Sequence, residues 1–498
     1  MCFIGHQRRR RWCSVTVSAL ATLAASIVLT GASPVTAVAA AQPNVVVIMV
    51  DDMNVSALAY MPQVRSLIGT AGTTFTTSVV SYSLCCPSRT TFLTGQYAHN
   101  HGVLDNAPPD GGYAKLRGAE TLPVWLRRAG YATGHVGKFL NGYGTQTPTE
   151  IPPGWTEWYG SVDPTTYRMW GYTLNENGML RTYGTSTVED PALYQTDVYA
   201  TKAVSFINRR APSTQPFFLS FAPLAPHGER HDGADLSQRD PRPAPRHRGD
   251  LDTAMVPKPP SWNEADVSDK PAAIRALPLI DAEAERRIEE VRLRGRLESL
   301  LSVDEAVASI VAALRSHGEL NNTVIVFTSD NGWMQGEHRI RQGKVVPYEE
   351  SIRVPLMIRG PGFPAGRQVN TIAANIDLAP TILEVAGATA GLTIDGRSLV
   401  PIASSPDTEL RGIVIETGPK ESGPWYAGIR SARWKYVERS TGERELYDLN
   451  LDPYELRSLH ADPRYAQVRQ TLAARLATLR TCAGNACRQW TPVPPPTL

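Results

Sequence analysis

The chain has 498 residues, with 50 Lys and Arg against 48 Asp and Glu and a formal net charge of +2. That length is more than a single small module and can bury a large core without disulfide staples, while so even a charge balance excludes a field built to hold nucleic acid. Its 39 Gly and 39 Pro, about 16% of the residues, stay below the roughly 25–30% typical of low-complexity chains; a disordered scaffold, a coiled coil and a polytopic membrane protein are excluded, leaving a large, loop-rich globular protein of the kind that is usually an enzyme.

Four consecutive arginines, Arg8 to Arg11, are followed by no charged residue until Asp51. The stretch from Ser14 to Gly31 is apolar and Ala-rich, and the small residues Ala37-Val38-Ala39 and Ala39-Ala40-Ala41 follow it. Basic, apolar and A-x-A segments in that order read as a signal peptide over residues 1–41. An uncleaved membrane anchor is the alternative, although Ala and Thr make the segment weakly hydrophobic. The expectation is a secreted or cell-envelope protein with no stable membrane partner, exported by the general or the twin-arginine route. A catalytic domain over 42–405 and a smaller C-terminal subdomain over 406–498 would follow.

Several apolar runs then end abruptly in polar residues. Val45 to Val50 stops at Asp51-Asp52, Phe217 to Phe221 runs toward Pro226-His227, and Thr323 to Phe327 stops at Ser329-Asp330-Asn331. Such runs predict strands buried on both faces of a sheet. A fourth run, Val354 to Ile358, contains Pro355, which confines it to an edge or a strand start. Helices are predicted over about 121–129, with Thr121 as the cap, over 197–209, and over 281–316 with a restart at Asp304; Gly295 weakens the continuity of the last. Alternation of buried strands and helices predicts an α/β fold with a mostly parallel sheet, in which functional groups gather beyond the carboxyl ends of the strands. Residues 241–250, rich in Pro and Arg, read as a surface loop near that site. Past Ser405, short strand-like pieces at 412–415, 426–429, 435–437 and 445–447 and a closing helix over 465–480 read as an antiparallel subdomain. Within it, Cys482 and Cys487 suit a small local disulfide, whereas the adjacent pair Cys85-Cys86 needs another explanation.

Asp51-Asp52 and Asp330-Asn331 supply three carboxylates and an amide oxygen at two strand ends. Oxygen-only ligands suit a hard cation such as Ca²⁺ or Mg²⁺ rather than zinc. Either pair alone reads more simply as a helix cap, but together they favour a metal.

The segment Cys85-Cys86-Pro87-Ser88-Arg89-Thr90-Thr91-Phe92-Leu93-Thr94-Gly95 resembles the type I sulfatase signature, C-x-P-S-R-x-x-x-L-T-G, at every specified position. Pro87 suits the first turn of a helix, which would set Cys85 at a helix N-terminus that favours an anion. The similarity extends over roughly residues 43–488. It includes Gly137-Lys138, Ala225-Pro226-His227, Thr328-Ser329-Asp330-Asn331-Gly332, Lys344 and Arg353-Val354-Pro355-Leu356. With His99-Asn100-His101 and Gly137-Lys138-Phe139-Leu140-Asn141, it looks closest to N-acetylglucosamine-6-sulfatases and bacterial arylsulfatases.

The resemblance implies an alkaline-phosphatase-like fold and a sulfuric ester hydrolase acting on an aryl sulfate or a sulfated sugar. It implies a formylglycine nucleophile made from Cys85 by a formylglycine-generating enzyme during maturation. One Ca²⁺ would be held by Asp51, Asp52, Asp330, Asn331 and the oxygen at residue 85. Arg89 would hold the aldehyde hydrate, Lys138 and Lys344 would grip sulfate, and His227 would protonate the leaving alcohol. His338 would lie just behind the site. Many sulfatases carry a histidine two residues after the G-K lysine, whereas this chain has Leu140, which leaves open the base that completes the cycle. The rival readings are a phosphonate or phosphate monoester hydrolase and a non-catalytic protein that binds sulfated glycans.

Overall fold

A computed structural model describes residues 42–230, 240–405 and 411–496. The signal-peptide expectation lies outside those residues, and the expected boundary at 405/406 adjoins another stretch outside them. Ten strands form the main sheet, in the order 367–369, 73–75, 356–359, 323–329, 44–50, 217–222, 132–137, 157–161, 172–176, 179–183. Strand Asn44–Val50 runs parallel to both Thr323–Ser329 and Phe217–Ala222, and the latter runs parallel to Ala132–Gly137. Four neighbouring strands therefore end along one edge.

The sequence runs explain why this sheet sits inside the molecule. In Asn44–Val50, Val46, Ile48 and Val50 face one apolar core, and Val45, Val47 and Met49 face a second on the other side. The register repeats this on its neighbours: Val46 lies beside Leu219 and Ile325 in the first core, and Val45 beside Phe218 and Val324 in the second. Side chains alternate across a strand, so a strand apolar at every position is stable only with helices on both faces. Each fully buried Val, Ile or Phe contributes roughly 1.5–3 kcal/mol.

Helix Gln195–Arg210 and the long helix Arg294–Ser316 cover the first face, while Leu122–Arg128 and Leu378–Ala386 pack on the second. The expected helix over 281–316 divides into Ala282–Arg287, a wider turn Ile288–Leu293, and Arg294–Ser316. Asp281 caps its start by accepting from the Ala284 N–H at 2.8 Å. No restart occurs at Asp304, which lies mid-helix. Its carboxylate instead accepts from the Gln63 and Val64 N–H groups at 2.9 and 2.8 Å, capping a neighbouring short helix across 241 and 240 residues of sequence. Thr121 stands at its expected position, but its hydroxyl donates back to the Gly118 carbonyl rather than capping the helix. Pro355 just precedes strand Leu356–Arg359, which is interior and pairs antiparallel on both sides. Residues 241–250 are less of a surface excursion than expected, because Arg242 is buried and paired with Glu229 and Glu189.

Near the C-terminus, strands Gly412–Glu416, Tyr426–Ser431, Trp434–Arg439 and Arg444–Asp448 form an antiparallel sheet, and helix Ala466–Leu479 packs on it. Its core includes Val79, Ile352 and Ile376 from the preceding region, and the described residues form one compact unit. Cys482 and Cys487 form a disulfide. His99 and Asn100 fasten that disulfide loop: both reach the Cys482 carbonyl, at 3.1 and 2.8 Å, while the His99 Nδ1 meets Glu416 at 2.9 Å. Among the described residues no helix is long and apolar enough to cross a membrane.

Candidate active site

The four parallel strand ends deliver Asp330-Asn331, Asp51-Asp52, the loop leading to His227, and Lys138, in that spatial order. Facing them, helix Cys85–Thr94 is buried along its whole length and begins at residue 85, with Pro87 in its first turn. Two local devices hold the strand ends tight. Gly137 has φ 109°, and a Cβ there would meet the Ala222 carbonyl oxygen at 2.1 Å, so only Gly lets the Lys138 N–H donate to that carbonyl at 2.8 Å. Asp52 takes φ 66° and donates its N–H to Asp330 Oδ1 at 3.1 Å, a left-handed backbone that Asp tolerates better than most residues.

Three cations converge on the Cys85 side. Lys344 Nζ lies 2.9 Å from Cys85 Sγ and Lys138 Nζ 3.4 Å from it. Arg89 Nε bonds Asp330 Oδ2 at 2.8 Å, its Nη2 bonds Asp51 Oδ2 at 3.1 Å, and its Nη1 donates to the Lys138 carbonyl at 2.8 Å. Lys138 also pairs with Asp51 at 2.5 Å, and Lys344 with Asp52. Burial opposes ionisation of Asp51 and Asp52, but the surrounding cations outweigh it and hold both carboxyls below the usual range. Burial and the Asp51 charge push the Cys85 thiol up to about 12. As encoded, Cys85 is therefore a protonated thiol and a poor nucleophile.

His227 Nε2 stands 3.7 Å from Asp52 Oδ2, its Nδ1 pairs with the Gly228 carbonyl, and its ring lies against Tyr167 at 5.1 Å between centroids. Burial lowers its pKa more than Asp52 and Asp51 raise it, so the resting imidazole is neutral near pH 7 rather than poised at its ordinary value.

Ligand atoms of Asp51, Asp52, Cys85 and His227 lie within 4.8 Å of one another. Asp52 Oδ2 is buried with no hydrogen-bond partner, and Asn331 Nδ2 holds the other oxygen at 2.6 Å. An orphaned carboxylate oxygen beside further oxygen donors fits a hard cation. Asp330 borders this group, with both its oxygens engaged by Arg89 and the Asp52 N–H. The residues expected from sequence thus gather in one place, except His338, whose ring pairs with Glu264 and touches none of them. Leu140 is buried in the second core.

Sequence reasoning missed Arg296 and Tyr167. Arg296, buried on the long helix, donates to the Asp52 carbonyl and, at 2.9 Å, to the Pro226 carbonyl, tying the end of strand Asn44–Val50 to the His227 loop. Its one signal was a charge on a stripe otherwise made of Leu293, Leu297 and Leu300. Tyr167 lies under Lys138 and Arg230 at 4.8 and 4.7 Å and accepts from Asn141. Tyr167 and Asn141 also line a cavity of about 530 Å³, with Asn106, Tyr113, Glu150 and Arg230.

The sulfatase family matches residues 43–388. The chain belongs to it. The C-terminal region of N-sulphoglucosamine sulphohydrolases matches residues 336–482. The arylsulfatase of Volvox carteri is 36% identical over 94% of this chain and 79% of its own length. The human N-acetylglucosamine-6-sulfatase is 32% identical over 93% and 89%. Among solved structures, one bound to its substrate D-glucosamine-2-N,6-O-disulfate superposes with a TM-score of 0.73 at 24% identity, covering 88% of this chain and 97% of that one. A phosphonate monoester hydrolase of Agrobacterium radiobacter shares the fold at a TM-score of 0.66 and 24% identity, covering 88% and 95%. This sulfatase is thus a sulfuric ester hydrolase with an alkaline-phosphatase-like fold.

Proposed function

We propose that this sulfatase acts through formylglycine at residue 85 with one Ca²⁺, and that its substrate is a sulfate ester of a phenol or a sugar. The observation that carries this reading is the approach of Lys138 and Lys344 to Cys85 Sγ, at 3.4 and 2.9 Å, above the orphaned Asp52 oxygen. Cys85 Sγ stands in here for the oxygens that formylglycine would carry at this position.

Asp51, Asp52, Asp330, Asn331 and residue 85 would hold the cation, which when bound makes a nearby hydroxyl more acidic and neutralises sulfate charge. Formylglycine supplies a nucleophilic oxygen that the encoded thiol lacks. The residues of the chain do the rest. Arg89, fixed by Asp51 and Asp330, orients the nucleophile. Lys138 and Lys344 draw in a sulfate and offset charge that grows on its oxygens. An arriving negative sulfate favours protonation of His227, which is neutral at rest, and so equips it to donate a proton to the leaving oxygen. The cavity beyond Tyr167 would take the alcohol portion. Maturation by a formylglycine-generating enzyme, export after removal of residues 1–41, and a division into 42–405 and 406–498 complete the proposal.

Peptide mass analysis of residue 85, paired with turnover of an aryl sulfate against the matching aryl phosphate, tests it. Oxidation at Cys85 with preference for sulfate is the expected result. Modification of Cys86 instead, full activity of Cys85→Ala, or preference for phosphate would overturn it.

A further inference from the structure

A second buried cluster lies between the loop that follows strand Thr323–Ser329 and the C-terminal sheet. One potential ligand atom from each of His338, Glu350 and Glu455 lies within 4.8 Å of the other two. Among the described residues His338 Nε2 and Glu350 Oε2 are buried without a hydrogen-bond partner, and His338 is fully enclosed. The other ring nitrogen is accounted for: Nδ1 meets the Glu264 Oε2 at 2.6 Å, which leaves Nε2 as the ring nitrogen available to a ligand. The Tyr348 ring, 4.2 Å away between centroids, fixes the imidazole plane.

The local charge balance is also incomplete. Glu455 Oε1 has the Lys435 ammonium at 2.6 Å on one side, but Lys435 is shared with Glu349 at 2.8 Å and donates to the Pro347 carbonyl. Glu350 accepts a 3.4 Å contact from Ser261, and Glu337 accepts from the Gln335 N–H. Neither Glu350 nor Glu337 has an ion pair among the described residues.

The geometry points to a structural divalent-cation site made of His338, Glu350 and Glu455, distinct from the active site and suited to Zn²⁺. One imidazole nitrogen with two carboxylate oxygens is a borderline donor set, unlike the all-oxygen set proposed for Ca²⁺. A triangle with 4.8 Å edges puts each atom at most about 2.8 Å from its centre, so shifts of roughly 0.7 Å reach the ~2.0–2.2 Å of zinc ligation. The Glu264–His338 pair matches the carboxylate partner that metal-binding histidines use to set ring orientation and basicity. Because Glu455 follows the C-terminal sheet and His338 lies on the loop that also carries Lys344, the ion would clamp the two together.

The test titrates the metal-depleted full chain with Zn²⁺ alone by calorimetry and with Co²⁺ alone by visible absorption. It uses both the natural chain and a chain carrying Asp51→Asn and Asp52→Asn, which disables the active-site ligands. One equivalent of Zn²⁺ is expected to persist in the double variant. His338→Gln or Glu455→Gln should weaken it at least 100-fold, and Glu264→Gln about 10- to 100-fold. Should those variants fail to fold, anomalous diffraction from zinc-soaked crystals of the natural chain decides, with a peak expected between the three side chains. Failure of the double variant to bind Zn²⁺, binding indifferent to His338→Gln, or a peak elsewhere would overturn the site and leave a shared proton as its occupant. None of these readouts depends on sulfatase activity.

Discussion

Around Cys85, three carboxylates, Asp51, Asp52 and Asp330, meet Arg89, Lys138, Lys344 and Arg296; under the C-terminal sheet, Glu349 meets Arg430 and Lys435. At Glu349 itself the pairing is closed. Arg430 holds both Glu349 oxygens, at 2.8 and 3.0 Å, and Lys435 adds a third contact at 2.8 Å. Burial resists the Glu349 charge, yet these cations keep its carboxyl well below the usual range. In the first place the pairing stays open: Asp52 keeps an orphaned oxygen, and two ammonium groups point at a sulfur. A buried cluster that satisfies itself fixes structure, whereas one that leaves groups unmatched is shaped for something that arrives.

Substitution at the two places separates these roles most sharply. Cys85→Ala should reduce turnover of an aryl sulfate by about 10⁴-fold or more while leaving the urea midpoint nearly unchanged. Glu349→Ala, which strands the buried Arg430 and leaves Lys435 with Glu455 alone, should cost about 3–5 kcal/mol of stability with little change in turnover per folded molecule. If Cys85→Ala unfolded the chain and Glu349→Ala stopped turnover, the contrast would collapse.

Removal of metal comes next in size. Exhaustive chelation should abolish turnover, and Ca²⁺ should restore it better than Zn²⁺, because the proposed ligands are oxygens. Undiminished activity with an empty site by metal analysis would contradict this. A smaller and substrate-dependent effect is expected for His227→Ala. A poor leaving group needs the proton, so a sugar sulfate should slow by roughly 10²–10⁴-fold and an activated aryl sulfate by far less. Equal losses on both substrates would remove His227 from leaving-group protonation.

The smallest effect lies at the His99–Glu416 contact. Burial alone would lower the His99 pKa, but the Glu416 hydrogen bond and charge prevail and raise it. A raised folded-state value means the contact stabilises fully below the unfolded value of about 6.5 and loses that contribution as pH rises through the folded value. The denaturant midpoint of the natural chain relative to His99→Gln should therefore shrink from pH 6 toward pH 9. A difference that grows with pH would reverse the assignment.

Much of the site was legible because its chemistry is carried by short runs. The Cys85–Gly95 signature, the acidic pairs after Val50 and Ser329, and Lys138 after Gly137 each combine a strand or helix end with a reactive side chain. The buried strands were legible for the same local reason, since a run apolar at every position has no exposed face to spare. Strands such as Ala132–Gly137 were not: Gly134 and His135 break the apolar pattern, and Gly134 is there because the Phe206 ring occupies the space a Cβ would need, at 2.6 Å.

Long-range partnership was decided only in three dimensions. Asp304 looks like a helix start until the chain brings Gln63 and Val64 to it, and Arg296 is one charge on an apolar stripe until Asp52 and Pro226 turn their carbonyls toward it. His338 shares a motif with the active-site loop, yet folding turns it to Glu264 and away from Cys85. Strand and helix identity follow from neighbours a few residues away, whose spacing the sequence displays directly. Which buried charge finds which partner depends on groups hundreds of residues apart, and the balance between desolvation and pairing that chooses among them exists only once the core has closed.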